Sequence, residues 1–321
     1  MNKDILISVE QVSHYYGDSC AVDNISFAVN RGEVLGFLGP NGAGKTTTMQ
    51  IISGVLLASA GTVTIAGFDI IEKAKSAKTH IGFLPEHPPL YHDLTVDEYL
   101  RYAAQLRGLH KSTIPDAIES SKQRCGLGDV GGRLIGNLSK GFQQRVGIAQ
   151  AIIHSPAVVI LDEPTVGLDP IQILEIRDLI NELGKDHSVI LSTHILPEVQ
   201  SVCDRVLIIN EGKLVLDQRL DSLHQDKHKI SIRVAFKKPP AIETILAISG
   251  VTAVELIDDQ RFLINFDPNS ETTDKLTQQA ATSCWGLFEM IPETDSLEET
   301  FLQLTSGGYQ KIKQDSEEIQ S

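Results

Sequence analysis

The 321-residue chain is poor in several things at once, and each shortage excludes a class of protein. Its four cysteines (Cys20, Cys125, Cys203, Cys284) lie far apart and form no CxxC pair. That spacing suits neither a zinc cage nor a disulfide scaffold and predicts reduced thiols in a cytosol. Positive charge is scarce: 28 Lys+Arg stand against 42 Asp+Glu, a formal net charge of −14. A general grip on nucleic acid needs a basic face, so no nucleic-acid partner is expected. No apolar run approaches the ~18 residues of a membrane-spanning helix. The opening MNKDILISVEQVSHYYG also lacks the apolar stretch and cleavage site of a signal peptide, and none is expected. No repeat of 20–50 residues is present.

What is present is an alternation of short Val/Ile/Leu runs with helical patterns over the first 220 residues. Strands are predicted at Ile7–Val9, Val34–Leu38, Val158–Leu161 and Val189–Ser192, and helices beginning near Lys45, Val96, Lys140, Ile171 and Pro197. Strands that are apolar throughout, without alternation, are those of a sheet buried on both faces, which points to an α/β core with a largely parallel sheet. Residues 221–228 are polar and charged and read as a linker. Beyond them KISIRVAF, AIETILAIS, VTAVELID, RFLINFD, TTDKLTQQAAT and LFEMIPE follow the order β-α-β-β-α-β of a ferredoxin-like α+β unit over 229–305. A closing helix is predicted at SLEETFLQL, capped by Asp295 or Ser296, and residues 306–321 are expected to form a flexible tail.

The chemistry concentrates in one motif. Gly39-Pro40-Asn41-Gly42-Ala43-Gly44-Lys45-Thr46 fits G-x-x-x-x-G-K-[ST] between a predicted strand and a predicted helix, with Thr47 next in line. In that setting backbone N–H groups curl round phosphate oxygens at a helix N-terminus, Lys45 reaches the β- and γ-phosphates, and the Thr46 hydroxyl ligates Mg²⁺. The ligand expected is a nucleoside triphosphate. Downstream, the run Val158–Leu161 ends in Asp162 and Glu163. Acids at the carboxyl end of a buried strand lie where α/β ligands bind. Asp162 is the candidate Mg²⁺-side carboxylate and Glu163 the candidate general base for the attacking water.

Leu138-Ser-Lys-Gly-Phe-Gln-Gln-Arg145, with Ser139 as a helix N-cap, closely resembles the LSGGQ signature of ABC-type ATPases. The other landmarks of that family occur in order. Tyr16 matches the aromatic that stacks on adenine, Pro164–Asp169 the D-loop, and His194 the switch histidine on the γ-phosphate. The resemblance covers residues 5–220. It implies a cassette with a parallel core, an antiparallel subdomain and a helical signature subdomain. It further implies that two cassettes pair head to tail, a second copy or a relative supplying Ser139, Gly141 and Asp169 to the opposing ATP, and that the pair powers a separate transmembrane permease.

Two positions depart from the family pattern. Lys140 stands where glycine is frequent, and Glu86, in IGFLPE, replaces the Q-loop glutamine. A carboxylate there still ligates Mg²⁺ or holds the water, and it brings a third acid beside Asp162 and Glu163. The Pro-Glu variant is similar to cassettes of gliding-motility and ABC-2-type export systems, and the SLEE-F phrase resembles the tail of ABC-2-type drug-export cassettes. These imply a cytoplasmic ATPase peripheral to the inner face of the membrane, touching it only through an ABC-2-type permease. The competing readings are a soluble ABC ATPase acting on nucleic acid or ribosomes, and a poorly hydrolysing regulator. The first is disfavoured by charge and by the lack of a second cassette, the second by Glu163 and His194. The stretch holding Tyr91, Leu94 and Tyr99 either packs the helical subdomain or receives the permease. His87 and His92 lack the companions of a metal pair and are expected to lie in a solvated loop.

Overall fold

The computed structural model describes residues 5–221, 230–267, 270–293, 301 and 304. The chain divides into two compact units, Met1–Leu220 and Asp221–Ser321.

In the first unit, β3 (Val34–Leu38), β7 (Val158–Asp162) and β8 (Ser188–Thr193) are buried at every residue. Apolar side chains on both pleat faces leave such strands no stable place except the middle of a covered sheet. They lie side by side, β3 next to β8 and β8 next to β7, all parallel. β6 (Ile81–Leu84) extends the sheet parallel beyond β7, and β9 (Arg205–Asn210) lies parallel on the far side of β3. β10 (Lys213–Arg219) closes that edge antiparallel to β9, giving the order β10-β9-β3-β8-β7-β6. The sequence order 3, 8, 7, 6 requires crossovers, and the carboxyl ends of β3, β7 and β8 emerge together at one edge.

A second, antiparallel sheet has the order β2-β1-β4-β5, from β1 (Ile5–Tyr16), β2 (Ser19–Asn30), β4 (Ala60–Ile65) and β5 (Phe68–Asp69). Its inward residues share one apolar core with Leu35 and Phe37 of β3 and with Met49, Ile51 and Ile52 of α1 (Lys45–Ile52). Along the chain between β5 and β7 come the short α2 (Ala74–Thr79) and a helical subdomain of α3 (Val96–Leu106), α4 (Ile114–Arg124) and α5 (Lys140–Ile152). In α3 the buried residues Val96, Tyr99, Leu100, Ala103 and Ala104 recur at helical spacing, forming one stripe. A capping box starts that helix: the Thr95 hydroxyl accepts from the Glu98 N–H and the Glu98 carboxylate accepts from the Thr95 N–H. Tyr99 is therefore core, Leu94 packs against the same cluster, and Tyr91, just outside the helix, is exposed. α6 (Pro170–Gly184) and α7 (Leu196–Val202) complete the unit.

The second unit is a four-stranded antiparallel sheet in the order β12-β13-β11-β14, from β11 (Ile230–Phe236), β12 (Val251–Leu256), β13 (Arg261–Phe266) and β14 (Leu287–Glu293). With α8 (Ile242–Leu246) and α9 (Thr272–Thr282) this is the split β-α-β-β-α-β arrangement. Its core gathers Val234, Phe236, Phe262, Ile264, Leu276 and Trp285. Phe236 is at its centre, 5.5 Å from the Trp285 ring in an edge-to-face contact and 5.9 Å from Phe262. The predicted caps Asp295 and Ser296, most of the closing helix and the tail lie outside the described residues. No helix among the described residues is long and apolar enough to cross a membrane.

Candidate functional site

The loop between β3 and α1 carries Gly39–Gly44, and its backbone is shaped for close approach. Gly44 has φ 105°, and a Cβ there would lie 2.5 Å from the Ala21 carbonyl, so no other residue fits without moving the chain. Lys45 follows as the first helical residue and is almost fully buried, a position that an ammonium tolerates only with partners. Its Nζ donates to the Gly39 carbonyl at 2.9 Å and the Pro40 carbonyl at 3.3 Å, and lies 3.1 Å from Oε1 of Glu163. The other oxygen of Glu163 is 2.9 Å from Nδ1 of His194. One carboxylate thus links the phosphate-loop lysine to the switch histidine.

Strand pairing places these groups. Glu163 leaves the end of β7 and His194 the end of β8; the Glu163 N–H donates to the Ser192 carbonyl at 2.8 Å and the Gly39 N–H to the Thr193 carbonyl at 3.3 Å. Glu163 adopts φ 48°, a left-handed backbone uncommon for a residue with a side chain.

Asp162, one residue earlier, is fully buried. Neither of its carboxylate oxygens has a hydrogen-bond partner among the described residues. Burial pushes its pKa up, and the negative charges of Glu163 and Glu86 add to the rise, while the nearby Ser192 and Thr46 hydroxyls oppose it. An orphaned, buried carboxylate beside Thr46 and Glu86 is the donor set of a hard divalent cation, which takes one or two carboxylates, a hydroxyl and waters. These residues fit Mg²⁺.

A cleft of about 490 Å³ opens above this constellation. Tyr16, Asn41, Gly42, Gly44, Lys45, Thr46, Thr47, Glu86, Glu163 and His194 line it, together with Ala21 and Val166. Tyr16 is half exposed at the end of β1, its ring in an edge-to-face contact with His14 at 4.6 Å. Gly39, Pro40 and Ala43 do not line it: the first two hold Lys45 through their carbonyls, and Ala43 is buried.

Ser139, Gly141 and Asp169 do not line this cleft. Ser139 caps α5 by accepting from the Phe142 N–H. Asp169 caps α6, its Oδ1 accepting from the N–H groups of Ile171 and Gln172 at 3.0 and 2.9 Å. The two helix starts touch: a Cβ on Gly141 would lie 2.7 Å from the Gln172 side-chain amide. A bare backbone at 141 lets the signature segment and the start of α6 form one edge.

Sequence reasoning missed Thr165, Thr193 and Glu198. Glu198 is buried on α7, and its oxygens accept from the Thr165 hydroxyl at 2.6 Å and the Thr193 hydroxyl at 2.7 Å. Each threonine sits one or two residues from Glu163 or His194. The only sequence signal is that Glu198 follows His194 by one helical turn.

Known proteins give the same picture. The ABC transporter family model matches residues 22–166. The bacitracin transport ATP-binding protein BcrA of Bacillus licheniformis is 33% identical over 305 residues, covering 94% of this chain and 98% of that protein. The ABC transporter ATP-binding protein NatA of Bacillus subtilis is 38% identical over 67% of this chain and 89% of its own length. Among solved structures, cbiO1 from Clostridium perfringens, part of the ABC transporter complex cbiONQ, is 29% identical. It superposes with a TM-score of 0.63 over 70% of this chain and 92% of cbiO1. A nucleotide cleft built by these motifs, on this fold, with relatives matched almost end to end, admits one family: the chain is an ATP-binding, ATP-hydrolysing member of the ABC transporter ATP-binding subunits.

Proposed function

We propose that the chain is the ATPase subunit of an ABC-2-type membrane exporter, held on the cytoplasmic face of the membrane by a separate permease and working as a head-to-tail pair of cassettes. The observation that carries the pairing is the division of the motifs. Lys45, Glu163 and His194 meet in one cleft, whereas Ser139, Gly141 and Asp169 lie on a different edge of the same unit. A second copy facing the other way supplies the missing half. Export is supported by BcrA, which is named for bacitracin transport and whose likeness runs over 94% of this chain.

In this reading Tyr16 stacks on adenine and the N–H groups of 39–47 hold the phosphates. Lys45 neutralises the β- and γ-phosphoryl oxygens. Thr46, Asp162 and Glu86 hold Mg²⁺, which when bound screens the charge on the same oxygens. Glu163 orients and deprotonates the attacking water, and His194, fixed by its contact to Glu163, contacts the γ-phosphate. The permease docks on a groove of about 400 Å³ lined by Val55, Phe83, Pro85 and Pro89, continued by the exposed Tyr91 and Tyr102.

Glu163→Gln is expected to abolish turnover and accumulate an ATP-bound dimer, seen as a doubled mass by light scattering at saturating ATP. A mutant that stays monomeric there defeats the head-to-tail pair. Affinity capture from detergent-solubilised membranes should recover a polytopic membrane protein; recovery of ribosomes or nucleic acid alone overturns the transport reading.

A further inference from the structure

We propose that Glu198 is a positioning residue for ATP hydrolysis: its buried carboxylate staples the loop after β7 to the end of β8 and so sets the Glu163–His194 pair. The proposal rests on the roles given above to Glu163 and His194.

The geometry is closed on every side. Oε1 of Glu198 accepts from the hydroxyl of Thr165, two residues beyond Glu163, at 2.6 Å. Oε2 accepts from the hydroxyl of Thr193, the residue before His194, at 2.7 Å. The Thr193 hydroxyl also accepts from the N–H of Ile195, the residue after His194, at 3.1 Å. The turn that carries His194 is therefore closed by the Thr193 hydroxyl, which accepts from Ile195 and donates to the same carboxylate that holds the loop following Glu163. The Glu198 backbone is anchored too, its N–H donating to the Ile195 carbonyl at 3.1 Å.

Stability alone does not explain a carboxylate in this place. Glu198 is 1% exposed, and no cation pairs with it among the described residues. Burying an ionised group against two neutral hydroxyls is costly, and an apolar side chain of similar volume is the more stable filling. What the carboxylate offers instead is two acceptors on one rigid plane, matched to one hydroxyl donor on the loop after β7 and one at the end of β8. The Glu163–His194 contact of 2.9 Å joins those same two segments, so any slack between residues 165 and 193 opens it. Thr165 also lies within Pro164–Asp169, the segment that a facing cassette would touch. The staple thus joins the dimer-facing loop to the hydrolytic pair by two hydrogen bonds.

The test uses the full-length protein. Glu198→Leu removes both acceptors and keeps the volume. It is expected to lower kcat by roughly 10–100-fold, as small misplacements of reacting groups do. The KM for ATP and the affinity for ATP in EDTA should stay within about twofold, because the phosphate loop is untouched. Glu198→Gln, which keeps one acceptor, should fall between. In protein labelled with ¹⁵N-histidine, the ring signal of His194 (assigned by its loss in His194→Gln) should shift in Glu198→Leu while that of His87 does not. Thr165→Val and Thr193→Val each cut one arm and should lower kcat similarly, and Thr165→Ser, which keeps the hydroxyl, should restore it; these carry the test if Glu198→Leu does not fold. A kcat within twofold of wild type, an unmoved His194 signal, or loss of ATP affinity in step with kcat overturns the proposal. Glu163→Gln run in parallel separates the two levels. If it too retains turnover, the assignment of the base has failed; if it is inactive while Glu198→Leu is not, only the staple has.

Discussion

The two units bury their sheets in opposite ways. In the first, β3, β7 and β8 are covered on both faces and buried at every residue. In the second, β12 has no fully buried residue, and β13 buries every other side chain. A parallel sheet covered on both faces has one accessible edge for polar groups, the carboxyl ends of its strands, and Glu163, His194 and the phosphate loop all emerge there. A sheet buried on one face disperses its polar residues over the other and converges none of them. The second unit has an aromatic core and, among its described residues, no comparable buried cluster of ionisable groups.

Substitutions can sharpen or break this contrast. The largest effect is expected at the first unit's strand edge. Lys45→Ala removes the ammonium that neutralises phosphoryl charge and should lower kcat/KM by roughly 10²–10³-fold, measured by phosphate release. The next is in the second unit. Phe236→Ala deletes a fully buried ring and should destabilise that unit by ~3–5 kcal/mol, read by denaturant titration of Trp285 fluorescence. ATP affinity should be unchanged; a parallel loss would mean that the two cores are not energetically separate. The smallest effect concerns Asp162. Its folded pKa is raised, first by burial, so the ionised form opposes folding at neutral pH. The sign follows: the stability linked to its proton is present below the unfolded pKa and is lost as pH rises through the folded one. In EDTA, Asp162→Asn should therefore raise Tm at pH 7, with the gain shrinking as pH falls, while Mg²⁺-dependent turnover is lost. A lower Tm at neutral pH would show that the carboxylate is stabilised by partners other than a cation.

Much of the site was legible because its parts are contiguous. The phosphate loop occupies 39–47, and the acidic pair ends an unbroken apolar run, so local pattern and chemistry coincide. The signature helix was legible from its cap, Ser139. Less legible was β1. Its register shifts between Val9 and Val12 and again before His14, which breaks the period-two alternation, so only Ile7–Val9 stands out in a strand that runs from Ile5 to Tyr16. Tyr91 and Tyr99 look equivalent in sequence, but Tyr99 falls on the buried stripe of α3 whereas Tyr91 precedes the helix and is exposed. Glu198 was not legible at all. Its meaning depends on residues 165 and 193, and only the pairing of β7 with β8 brings those together.

The left-handed backbone at Glu163 sets local strain against a buried ion pair at a single position. A residue with a side chain held there gives up roughly 1–2 kcal/mol relative to the relaxed chain, whereas glycine adopts the same φ freely. Glycine at 163 would nevertheless leave the buried Lys45 ammonium without its carboxylate, a loss of about 3–5 kcal/mol that outweighs the strain relieved. The strained backbone is thus held by the ion pair itself, before the proposed role of Glu163 as base is counted.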